Sequence, residues 1–270
     1  NGLTANQLAS MSTAKVGELT TDQIASLSSS YIAGLTSAAL NQLTTEHIQA
    51  LSSSQVQGLT ATQLNGLTAS RVAALDTVDV AALTTAQVRS LGTAFIQALT
   101  TEQVTSLRAS QLGAMSYTQI GALESGEFGS LSTDQLQGIL ATQFSRLANT
   151  QLDELTTDTI SALTTTQISS MTNSQVGSLD SDQVAALTSS QLGAMATSQL
   201  NALASDAVAN ISSDNIATLR ATQISGLSTG FIQNLTTDQV GALGSAQVRA
   251  LTSVQLDAMS SDQIGALSFS

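Results

Sequence analysis

The residues that could do chemistry in this chain are few. His47 is the single histidine. Three close carboxylate pairs, Asp76 with Asp79, Glu124 with Glu127, and Asp153 with Glu154, have spacings that general acid–base catalysis could use. Serine and threonine are everywhere, but without a nearby His or Lys base a hydroxyl nucleophile has no activation route. Asn210 and Asn234 each open an Asn-x-Ser/Thr triplet, the glycosylation acceptor pattern, in a chain where such triplets arise by chance. Tyr31, Phe95 and Phe231 are isolated aromatics, each followed by Ile. The question for each is what element positions it.

The answer is one element, repeated. Leu3, Met11, Leu19, Leu27 and Leu35 open a series of Leu, Met or Ile that recurs every eighth residue through Leu251, Met259 and Leu267. A second series follows five residues behind: Leu8, Val16, Ile24, Ile32, and on to Val248, Leu256 and Ile264. It is aliphatic throughout, apart from Phe128 and Phe144. Numbering the octad from the first series, position 1 is Leu, position 2 Ser or Thr, position 5 Gln, position 6 Val, Ile or Leu, and position 8 a small residue. Self-similarity at a fixed period is the signature of a repeat architecture.

Geometry narrows the backbone. In one continuous helix eight residues overshoot two turns by about 80°, so no apolar face persists. Coiled-coil seams need apolar spacings near 3.5 or 3.67 residues, and two in eight average about 4. In a strand, positions 1 and 6 point to opposite faces, so a β-solenoid requires a corner in every octad and stays open on those terms. Short helices account for the polar letters as well. Ser or Thr followed three residues later by Gln is the capping box, as in Thr20 with Gln23, Thr84 with Gln87, Thr100 with Gln103 and Thr252 with Gln255. The apolar residues on either side, Leu19 and Ile24 in the first of these, match the hydrophobic staple. Each octad is a complete helix start that also ends the preceding helix, and the small residue at position 8 lets the next turn pack closely. Asp76 and Asp180 are further competent caps, whereas Arg108, Leu140, Ala148, Ala204 and Arg220 are weaker starts. Residues 124–144 form the least regular stretch.

The expected fold is therefore all-α: a solenoid of very short capped helices, one per eight-residue repeat, running as a single continuous array over residues 1–270. Acids give the next order of periodicity. Asp134, Asp158, Asp182 and Asp206 recur at every third octad, as do Asp214, Asp238 and Asp262, all at position 4, where a helix dipole favours a carboxylate. That interval predicts three repeats per superhelical turn. Columns of acids at such spacing repel weakly in water and need no bound cation, and no calcium-binding loop motif is present.

In this frame the candidate chemistry reads as structure. His47 occupies the Gln position and is expected to be a surface substitution; the acid pairs fall at cap, Gln or exposed positions; Tyr31, Phe95 and Phe231 also replace Gln, covering the flank or forming an exposed recognition patch. Neither a catalytic residue, a metal site nor a cofactor is expected. With no cysteine there is no disulfide or thiolate site. A net charge of −12 argues against nucleic acid as a partner, and no apolar run reaches membrane-spanning length. Without an initiator Met, the chain is expected to be a processed product or an excerpt.

The unit L-[ST]-T-x-Q-[VI]-x-A, in LTTAQVRS, LTTEQVTS, LTTTQISS and LTTDQVGA, resembles the octad-repeat regions of large secreted bacterial adhesin-like or matrix-like proteins. The resemblance implies an extracellular or cell-surface setting. The expected role is structural: a stalk or spacer, or the subunit of a self-assembling filament, joined head-to-tail to copies of itself or to flanking domains of a longer chain. The alternative is a binding module whose Ser/Thr/Gln surface recognises glycan, protein or ice.

Overall fold

The computed structural model describes Gln7 and residues 11–267. Among these there are thirty-two α-helices of four to six residues and no strand, so the all-α solenoid of capped helices stands and the cornered β-solenoid does not. Helix Ala61–Asn65 shows how an octad is made. Leu59 and Thr60 are extended, at ψ 136° and 160°, and this breaks the preceding helix Ser53–Gly58. The Thr60 hydroxyl then accepts from the Gln63 N–H, and Gln63 Oε1 accepts from the Thr60 N–H at 2.8 Å. The full box recurs at Thr20, Thr84, Thr164, Thr236 and Thr252. At the weak starts Arg108, Leu140, Ala148 and Arg220 the hydroxyl half is missing, but the glutamine half survives. At Ala204 neither half is present, because position 5 is Ala207.

The chain divides into two compact units, Asn1–Ile139 and Leu140–Ser270, and the division falls inside the least regular stretch of the sequence. Each unit is built alike. In the first, helix Ser53–Gly58 packs on Ser29–Gly34, Thr101–Ser106 on Thr77–Ala82, and Thr133–Gly138 on Ala109–Ala114. In the second, Ser189–Ala194 packs on Thr165–Ser170, Ser245–Ala250 on Ala221–Gly226, and Ser261–Ala266 on Thr237–Gly241. Every one of these pairs is separated by three octads, so three octads make a layer within each unit, as the acid spacing predicts. The position-4 acids are exposed on the layer flanks.

Position 6 forms the centre of the core: Ile24, Ile32, Leu40, Leu64, Val104, Ile120, Ile160 and Val240 are all at 0% exposure. Phe128 and Phe144 take the same place, fully buried. Position 8 lies over position 3 of the layer beneath. A Cβ added at Gly58, Gly66 or Gly226 would come within 3.0 Å of Ser29, Ser37 or Thr197, and one at Gly138 within 2.5 Å of the Ala109 carbonyl oxygen. Small residues at position 8 therefore set the closeness of the layers.

Candidate functional site

A helix of four to six residues has more orphan backbone groups than satisfied ones, since four N–H and four C=O groups at its two ends lack intrahelical partners. Stacking such helices is possible only if something ties off those ends. The position-5 glutamine does so from both ends of its amide. In Gln103, Oε1 accepts from the Thr100 N–H at 2.8 Å, while Nε2 donates to Val72 O at 2.8 Å and Leu75 O at 2.7 Å. The first bond caps its own helix start; the other two close a helix end in the layer beneath. The offsets of 31 and 28 residues repeat at Gln55, Gln63, Gln87, Gln111, Gln119 and Gln135 in the first unit. In the second they repeat at Gln175, Gln183, Gln191, Gln199, Gln223, Gln239, Gln247, Gln255 and Gln263. All sixteen are buried. These rungs are the chemical device of the molecule.

Sequence reasoning found only the capping half of the glutamine. A signal for the rest was present: the capping box accepts Glu as readily as Gln, yet this acidic chain places Gln at position 5 again and again. The amide has a donor to send downward, and an ionised carboxylate has none.

Where position 5 is not Gln, the substitutes show what the site demands. Arg71 sends Nε to Leu43 O at 3.1 Å, and the shorter Asn215 keeps Leu187 O at 2.8 Å, both at the 28-residue offset. Arg71, Phe95 and Phe231 have no side-chain acceptor for the N–H of their helix cap. In each case an asparagine at position 7 of the layer beneath supplies one. Asn41 Oδ1 accepts from the Thr68 N–H at 3.1 Å, Asn65 Oδ1 from the Gly92 N–H at 2.7 Å, and Asn201 Oδ1 from the Ser228 N–H at 2.7 Å. Their amide nitrogens donate to Gly66 O, Ser90 O and Gly226 O. Asparagine occupies position 7 elsewhere only at Asn1, outside the described residues, and there too the matching position 5 in the following layer, Tyr31, lacks Gln.

The residues singled out for chemistry are distributed through this scheme rather than gathered. His47 is buried, which corrects its assignment to the surface: position 5 is an inward position, and His47 Nδ1 accepts from the Thr44 N–H at 3.2 Å as a glutamine oxygen would. Phe95 and Phe231 are likewise buried, at 3% and 4%, so neither forms an exposed recognition patch; Tyr31 is half-buried. Asp79 and Glu127 are buried at position 5, each with its pair-mate Asp76 or Glu124 at the cap, while Asp153 and Glu154 are exposed. Burial pushes both the Asp79 and Glu127 carboxyls above their usual range, against the pull of a Ser53 hydroxyl bond at 2.6 Å on Asp79 and the Glu124 N–H at 2.9 Å on Glu127. The exposed Glu46 and Glu102 go the other way, held down chiefly by the Thr44 hydroxyl and by the backbone N–H of Glu102 itself. Asn210 and Asn234 spend their amides on the carbonyls of Asp206 and Gly230.

Asn201, Leu203, Ser205, Val208, Ser228 and Phe231 help to line a shallow pocket of about 140 Å³, room for a few atoms, where Phe231 stands in for a rung. No group of three His, Asp or Glu side chains that could hold a metal ion occurs among the described residues. No described helix is long and apolar enough to cross a membrane.

In comparisons with known proteins, the family model for the ALTTAQ repeat matches residues 72–109, 154–189, 221–253 and 232–269. The octad is thus similar to a known repeat family at several places along the chain. The search of curated proteins found no match.

Proposed function

We propose that this structural repeat protein serves as a non-catalytic stalk, spacer or filament subunit at the cell exterior. The observation that carries the reading is the rung. The glutamine amides that could recognise a ligand are turned inward, each layer binding the one beneath through the same 28- and 31-residue contacts. Repetition of one junction yields length. The glutamine amides are correspondingly withdrawn from a recognition surface, and exposed cap hydroxyls such as those of Thr84 and Thr164 are engaged by a helix N–H, which weighs against a glycan, protein or ice binder. The exterior setting rests on the resemblance to octad regions of large secreted bacterial proteins.

Negative-stain electron microscopy across a dilution series tests the reading. Fibres that persist on dilution mark a filament subunit; discrete particles of constant size mark a spacer. Binding to a glycan array that is lost when outward Ser and Thr residues are changed, with the helices intact, would overturn both in favour of recognition.

A further inference from the structure

Gln55, Asp79, Gln103 and Glu127 are successive rungs of one column in the first unit, each three octads on from the last. Two of the four are carboxyls, and both are sealed, at 4% and 7% exposure. By register the backbone carbonyls beneath them are those of Ile48 and Leu51 for Asp79, and of Ile96 and Leu99 for Glu127. They are the counterparts of the Val72 and Leu75 carbonyls that Gln103 binds. Glu127 has the shape of a glutamine without its donor. Its Oε2 takes the Glu124 N–H, as a glutamine Oε1 takes the cap N–H, so by the same register its other oxygen falls where a glutamine carries Nε2. A neutral carboxyl carries a hydrogen to donate from that place. An ionised one has none, and sets a buried negative charge against carbonyl oxygens.

We propose that Asp79 and Glu127 are pH-responsive rungs: as neutral acids they tie their layers together, and on releasing the proton to solvent they loosen them. The charged groups around them favour the neutral form. Asp76 and Glu124, at the helix caps, are both acidic. Helix Ser53–Gly58, packed beneath Asp79, carries no ionisable side chain; its Ser53 hydroxyl donates to Asp79 Oδ1 at 2.6 Å and pulls toward the ionised form, but burial outweighs it. Helix Thr101–Ser106, packed against both Thr77–Ala82 and Ser125–Gly129, carries only the exposed Glu102. A carboxyl that burial shifts upward binds its proton more tightly native than unfolded. Its contribution is complete at acid pH and is lost as pH rises through the raised native value.

The test is denaturant unfolding of the full chain, wild type against Glu127→Gln, Asp79→Asn and the double variant, between about pH 4 and about pH 8. Glu127→Gln restores the residue found at most rungs, and Asn215 shows that an asparagine at this position still reaches the 28-residue carbonyl. The expected result is matching midpoints near the acid end and a gap in favour of the variants that widens as pH rises, with slowed amide exchange confined to residues 93–106 for Glu127→Gln and 45–58 for Asp79→Asn. Glu102→Gln, which removes an exposed acid held below its usual range, shifts in the opposite sense, losing its disadvantage as pH falls. A gap of equal size at every pH, no gap at any pH, or one that closes as pH rises would overturn the proposal.

Discussion

Gln191→Glu separates a rung from a cap. Gln191 is 1% exposed; its Oε1 accepts from the Thr188 N–H at 2.8 Å, and its Nε2 donates to Ile160 O and Leu163 O, both at 2.8 Å. Glutamate keeps the oxygen that the capping box uses and loses only the donor. If capping were the whole role, the substitution would be neutral. As a rung it forfeits two hydrogen bonds, each worth about 0.5–1.5 kcal/mol net, or about 1–3 kcal/mol together. Burying an ionised carboxylate beside those carbonyls adds to the cost, so about 3 kcal/mol or more is expected near neutral pH. Thr188→Ala, which removes the forward half of the box, should cost about 1 kcal/mol. A repeat array need not unfold in one step, so the assay is local: amide exchange followed by mass spectrometry over residues 157–170 and 188–194. At about 1.4 kcal/mol per tenfold, Gln191→Glu should speed exchange there by about a hundredfold or more, well beyond Thr188→Ala. Glutamate that is silent while Thr188→Ala is not would refute the rung.

Gly138→Ala should destabilise by about 1–3 kcal/mol in urea unfolding, despite alanine's better helix propensity, because the new Cβ would meet the Ala109 backbone oxygen at 2.5 Å and the layers would have to part. Asn201→Leu removes the acceptor for the Ser228 N–H and should cost about 1–2 kcal/mol; in a Phe231→Gln background, where position 5 again supplies an acceptor, the cost should fall by at least half. Equal costs in the two backgrounds would show that Asn201 does not stand in for the missing glutamine.

The local half of this fold was legible because its instructions are local. Thr20 and Gln23, or Thr252 and Gln255, lie within one turn of each other, and their capping box is the same in the sequence as in the structure. The layer repeat was legible for a different reason: exposed acids such as Asp158, Asp182 and Asp206 tolerate one another at three-octad spacing and so record the period without taking part in packing. The downward half of the glutamine was not legible from its neighbourhood, since its partners lie 28 and 31 residues back, and no property of an octad alone shows what is beneath it. His47 was misplaced for the same reason, which also hid the burial of Phe95 and Phe231, expected on the flank or in an exposed patch. Each sits among Ser, Thr, Ala and Gln, and its burial comes from the column it joins rather than from its own segment. The asparagines at 41, 65 and 201 are a second long-range feature written openly, at a constant interval before Arg71, Phe95 and Phe231, and they become readable once the layer period is known.

Cysteine crosslinking reads the layer period directly, since the chain has no cysteine of its own. A Cβ at Gly226 would stand 3.3 Å from the Thr197 Cβ, near the separation that a disulfide spans. Three octads per layer predicts that Thr197→Cys with Gly226→Cys forms an intramolecular disulfide under mild oxidation. Thr197→Cys with Thr218→Cys, the equivalent pair for two octads per layer, should not form one, nor should Thr197→Cys with Asn234→Cys, the pair for four. Efficient closure of either control pair, with the first left open, would contradict the stacking on which every rung depends.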